Sequence, residues 1–145
     1  MPKPKIYFSG RRKNRPRLNQ KSFVDVIGWV SQKKKKVFET IQYVFLNDVE
    51  LLDINIRYLN HNTFTDIITF DLTEGGGIIG EIYISLDRVI ENATKYKVSE
   101  KEEFLRVLFH GALHLLGYKD KTAKDKQAMR EAETYCINLY LEKEA

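Results

Sequence analysis

The sequence predicts a single α+β domain in which about four strands pack with about five helices. Three observations lead there. The chain has 145 residues, the size of one ordinary domain, so two separate cores would each be thin. Hydrophobic residues make up 43% and charged residues 30%, a globular balance rather than a disordered or fibrous one. Short segments with period-two apolar patterning are interspersed with longer segments of helical periodicity, most of them opened by a capping residue.

The elements follow in order. Ile6, Tyr7 and Phe8 form a short first strand, ended by Gly10 and a basic loop containing Pro16. Phe23, Val26, Ile27 and Val30 recur at helical spacing, which predicts an amphipathic helix over residues 20–34 running into the lysines 33–36. Ile41, Tyr43 and Phe45 alternate within a β-branched and aromatic stretch, a strand over 37–46. Asn47 followed by Glu50 reads as a capping box opening a helix through Tyr58. The stretches 65–72 and 78–86 flank Gly75, Gly76 and Gly77 and predict a hairpin. Ser85 caps a helix whose Leu86, Val89, Ile90, Ala93 and Tyr96 share one face. Ser99 and Glu102 predict a second capping box, opening a helix that stops at Gly117. Thr122 begins the last helix, with Met129, Ala132, Cys136, Leu139 and Tyr140 on its buried side. No internal repeat and no long linker divides the chain, so residues 1–145 are expected to form one domain.

Charge is distributed unevenly. The net charge is +4, yet residues 1–36 carry twelve Lys and Arg against one acid, Asp25. Such a segment, with Arg11, Arg12 and Lys13 at its centre, suits a polyanion such as RNA through counterion release. A solvated charged face accounts for a charge run equally well. The single cysteine, Cys136, cannot form an internal disulfide, and the expected compartment is the reducing cytoplasm. Neither a signal peptide nor a membrane span is expected, since the longest apolar stretch, 107–116, is short and carries two histidines.

The helix from Ser99 to Leu116 carries the chemistry. From Phe104 onward it is apolar on most sides, which marks a buried helix. Glu103, Arg106, His110 and His114 are the exceptions, and they fall within an arc of about 80°. Buried polar groups without partners cost about 1 to 3 kcal/mol each, so this stripe is expected to face a cleft. His110 and His114 are four apart, with Cα atoms about 6 Å apart along the axis, a spacing suited to one metal ion. Two hydrogen-bonded core histidines would give the same pattern. Asp120, three residues beyond Gly117, offers a third ligand, and three protein ligands leave coordination positions open, as in a catalytic rather than a structural site.

The run His110-Gly111-Ala112-Leu113-His114-Leu115-Leu116-Gly117-Tyr118 resembles the HGxLHLxGYDH motif of the YbeY endoribonuclease family of rRNA maturation factors. Asn55, the stretch Thr65 to Phe70 (like TDVLSF) and Gly80-Glu81-Ile82 (like GDI) are similar to further family landmarks. The resemblance runs from about residue 37 to the carboxyl terminus. It implies a mixed sheet, one zinc ion per chain, and processing of ribosomal RNA at the 3′ end of the small-subunit species, with RNA and the small ribosomal subunit as partners. Two positions depart from the pattern. Asp120 stands at the third metal-binding position in place of His, and its harder oxygen donor makes manganese or iron more competitive with zinc. Leu59 stands where the family has an arginine. Arg57 points about 200° away on a helix, so Arg106 is the candidate replacement for phosphate contact, against the simpler reading of an ion pair with Glu103.

A zinc peptidase is disfavoured because Gly111 occupies the position of the general base in H-E-x-x-H. A non-haem iron oxygenase is disfavoured because its ligands usually sit on a β-barrel. The rival from another class is a non-catalytic ribosome-associated RNA-binding factor with a structural metal. His61 is the one further histidine, in a loop whose direction the sequence does not determine.

Overall fold

The computed structural model describes residues 3–145; Met1 and Pro2, the first two residues of the basic segment and of the expected domain, lie outside the described residues. The elements are β1 (Lys5–Gly10), α1 (Gln20–Lys33), β2 (Phe38–Leu46), α2 (Asp48–Leu59), β3 (Ile67–Asp71), β4 (Ile78–Ser85), α3 (Leu86–Tyr96), α4 (Glu100–Leu115) and α5 (Ala123–Glu144). The expected α+β class with a four-stranded mixed sheet and five helices is the one observed. Strand order is β1-β2-β4-β3. β1, β2 and β4 run parallel, and β3 returns antiparallel to β4 as the expected hairpin.

Alternation along the strands decides what each face meets. Ile41, Tyr43 and Phe45 of β2 are fully buried, on the face that receives α4. The Tyr43 hydroxyl, deep in that layer, donates to the Leu108 carbonyl of α4 at 2.7 Å, so its burial leaves no orphan donor. Phe8, Phe23, Tyr43 and Phe109 pack ring against ring and join β1, α1, β2 and α4. On the opposite face Tyr58 of α2 meets Phe70 edge-on, and Phe70 meets Tyr83. With α4 on one side and α2 on the other, the β3 edge of the sheet lies between them.

Capping chemistry holds the helix starts, with one exchange relative to expectation. Asn47 and Glu50 form the full reciprocal box. Ser99 accepts from the Glu102 amide at 3.0 Å, but the return bond is missing because the Glu102 carboxylate turns toward Arg106, 4.0 Å away. The second complete box is at Thr122 and Asp125 instead. Gly117 ends α4 with φ +106°, as its expected role as a stop requires. The expected apolar face of α3 is correct for Leu86, Val89 and Ala93, whereas Tyr96, at the last turn, is 57% exposed. No helix among the described residues is long and apolar enough to cross a membrane.

Candidate active site

Helix α4 is the floor of the site because nine of its non-polar residues are buried while Arg106, His110 and His114 of its polar stripe emerge at the β3 edge. Glu103, Arg106, His110 and His114 all line one cleft of about 830 Å³, as the stripe predicted. Asp120 reaches it from the loop between α4 and α5. Leu59, His61, Phe64 and Asp66 close it from the α2 side. That segment is tied down by Asn55, a buried residue of α2 whose amide donates to the Thr63 carbonyl at 2.8 Å. His61, which the sequence could not place, therefore belongs to the cleft.

His110 is held from both ends. Its Nδ1–H donates to Glu133 Oε2 at 2.7 Å, a carboxylate acceptor that puts the proton on Nδ1 and leaves Nε2 facing the cleft. Nε2 lies 3.8 Å from Asp120 Oδ2. Burial works to lower the His110 pKa, but the bond to Glu133 and the charges of Glu133, Asp120 and Asp66 more than offset it, and the pKa is raised. Glu133 Oε1 also accepts from the Arg106 guanidinium at 3.1 Å. Arg106 is thus paired with Glu133, with Thr134 and Glu102 nearby, and not with Glu103 as expected. The α5 register explains this, since Glu133 sits among Met129, Cys136 and Ile137 on the buried side of that helix. The signal for it in the sequence is a charged residue on an otherwise apolar stripe of α5.

Two further carboxyl groups share the cleft. Burial raises the Asp66 pKa, against the pull of His110. Burial, then repulsion from Asp66, pushes Glu103 up to about 7. Glu103 is only 5% exposed. Between its usual 4.5 and about 7 the folded chain keeps a proton that the unfolded chain has lost, so stability falls as pH rises through that window and is level above it. Glu103→Gln should therefore stabilise the protein by about 2 to 3 kcal/mol at pH 8 and by nothing at pH 4. Urea unfolding at both pH values checks this; an equal gain at both would count against it.

Donor chemistry fits a metal at this place: two imidazoles and a carboxylate line one cleft, and two of the three donors already lie 3.8 Å apart. Among the described residues no three His, Cys, Asp or Glu side chains converge as a ready-made metal cluster. Gly111 does not face the cleft. A Cβ there would lie 2.8 Å from Ile82 Cδ1 and 3.1 Å from Ile67 Cδ1, so the glycine lets α4 settle onto the sheet and provides no room beside His110 for a phosphate. Arg57 pairs with Asp53 at 3.1 Å and is absent from the cleft lining, in keeping with its expected direction, while Leu59 presents an apolar side chain there. Arg11, Arg12 and Lys13 follow β1, the strand at the edge opposite β3, and Arg11 is paired with Glu50 at 2.7 Å. Cations the sequence reading did not single out, Lys126 and Arg130 of α5, line the cleft instead.

Comparison with known proteins places first the architecture and then the family. The solution structure of TM1509 from Thermotoga maritima matches with a TM-score of 0.61 and 24% identity, over 95% of this chain and 90% of that one, which shows the shared α+β fold. The family model described as Endoribonuclease YbeY matches residues 11–140. The Endoribonuclease YbeY of Flavobacterium johnsoniae is 44% identical over 122 residues, 84% of this chain and 88% of the relative. That of Flavobacterium psychrophilum is 47% identical over 117 residues, 79% and 84% of the two chains. The chain belongs to the YbeY endoribonuclease family. The match begins at Arg11 rather than near residue 37, so helix α1 and part of the basic segment are included in it.

Proposed function

We propose that this protein is a metal-dependent endoribonuclease that cuts single-stranded RNA in ribosomal RNA maturation, at the 3′ end of the small-subunit species, in the cytoplasm. The observation that carries the reading is the cleft in which His110 and His114 of α4 share a wall with Asp120 while Glu133 orients His110. The printed name of the relatives, Endoribonuclease YbeY, supports RNA as the substrate.

His110 through Nε2, His114 and Asp120 would hold one zinc ion, or manganese or iron given the carboxylate. Bound there, the ion supplies Lewis acidity toward a phosphoryl oxygen and a nucleophile at neutral pH. Glu133 keeps His110 in the tautomer that presents a lone pair, and its second oxygen holds Arg106. Glu103, with its proton held to about pH 7, can take or return a proton near neutrality. Lys126 and Arg130 meet the phosphates at the cleft, and Arg11, Arg12 and Lys13 add charge for RNA beyond it.

Metal content and cleavage of a single-stranded RNA are measured together on the purified full chain. About one transition metal per chain, lost in the His110→Ala, His114→Ala double variant, and cutting by the metal-loaded parent are expected. Near-stoichiometric metal in the double variant overturns the ligand assignment. A loaded parent that binds RNA without cutting it overturns the enzyme and leaves a non-catalytic binding factor.

A further inference from the structure

The cleft is larger than metal chemistry needs, and two exposed aromatic rings line it. Phe64, in the loop before β3, is 53% exposed, and Tyr96, at the end of α3, is 57% exposed; both line the cleft. What singles them out from other exposed apolar side chains is that both line the same cleft, where exposed apolar surface marks a place for a ligand. Phe64 is also braced from one side. The Arg88 guanidinium lies 5.3 Å from its ring centre and is itself fixed by Asp48, at 3.0 Å and 3.1 Å. One ring face is thus set on an anchored cation while the rest of the ring is open to solvent, which fixes the platform before anything binds.

The opposite side of the cleft differs in character. α4 packs between α3 and α5, so the aromatic pair and the exposed Lys126 and Arg130 of α5 flank the same floor. A strand laid along α4 would meet cations on one side and aromatic faces on the other. That is the pairing single-stranded nucleic acid requires, because each nucleotide carries a phosphate and a π-face on opposite sides of its sugar.

Resting on the endoribonuclease reading, we propose that Phe64 and Tyr96 form a stacking site for unpaired nucleobases of the substrate RNA, with Lys126 and Arg130 receiving the phosphates. Duplex RNA is rejected there because its bases already stack on one another and present no free face. Leu59, apolar and in the same lining, extends the surface for a base where an arginine would favour phosphate.

The test is equilibrium binding of two oligoribonucleotides of equal length, one with bases and one abasic, to the full chain carrying His114→Ala so that no cutting intervenes. The base-bearing strand should bind about tenfold more tightly than the abasic one. Phe64→Ala with Tyr96→Ala should bring that ratio close to one, and Phe64→Trp should restore part of it. Lys126→Gln with Arg130→Gln should weaken both strands alike and leave the ratio intact. Equal binding of the two strands, or a ratio unchanged by the double alanine variant, overturns the stacking site while leaving the endoribonuclease standing. A preserved base preference in a parent that never cuts RNA overturns the nuclease reading and leaves the stacking site.

Discussion

RNA cleavage should fall by about a thousand-fold or more in the His114→Ala protein, while its unfolding free energy stays within about 0.5 kcal/mol of the parent. His114 is exposed on the cleft side of α4, whereas its neighbours Leu113 and Leu115 are buried and hold the helix on the sheet. On the proposed ligand set, removing the imidazole takes away a donor to the metal without opening a cavity. With one of three proposed ligands gone, the ion would be held less firmly and its charge at the reacting phosphate would be disturbed, and both effects would act on the rate. Single-turnover cleavage and urea unfolding of the same preparation check the two halves. Equal cleavage by parent and variant would remove His114 from the active site.

Glu133→Ala should behave in the opposite way, with a loss of stability of about 3 kcal/mol and a fall of about 10 °C in Tm. Glu133 is 5% exposed and is the acceptor for both His110 and Arg106. Truncating it leaves the half-buried His110 N–H and the Arg106 guanidinium without their closest partner. At a temperature where the variant remains folded, metal affinity should fall about ten- to a hundredfold, because His110 loses the bond that fixes its ring. Glu133→Gln separates the two consequences. Its one carbonyl oxygen can serve His110 or Arg106 but not both, since the amide nitrogen would face a donor. An intermediate loss of stability, with metal affinity read by chelator competition, is the expected outcome. A Glu133→Ala protein of unchanged stability and affinity would show that the three-residue chain has no such role.

The elements of the fold were legible because each depends on neighbours in sequence. Phe23, Val26, Ile27 and Val30 recur at 3.6 residues, Ile41, Tyr43 and Phe45 at two, and Asn47 and Glu50 meet across one turn. Those patterns need no knowledge of what packs against them. The same local logic showed that α4 is buried with one polar stripe, and the motif from His110 to Tyr118 carried the family resemblance that the comparisons bear out. Ser99 marks where local logic ends. Its capping box was half right, because Glu102 can answer Arg106 on its own helix instead of the backbone.

Element order, the buried helix with its two histidines and the residues on each amphipathic face all follow from the local sequence, since backbone hydrogen bonding and side-chain periodicity act over a few positions. Which groups meet that polar stripe depends on how the helices pack across the whole chain. Glu133 lies 23 residues from His110 and comes to it because α5 packs its apolar side on α4. Gly111 turned out to face Ile82 and Ile67 rather than the cleft, a matter of which side of α4 the sheet occupies. Arg11 to Lys13 and Lys126 with Arg130 are alike in charge, yet strand order carries the first group to the far edge and helix packing brings the second pair to the site. Distance along the chain says nothing of such encounters, because apolar burial selects the arrangement as a whole and ionisable groups are carried to wherever that arrangement sets them.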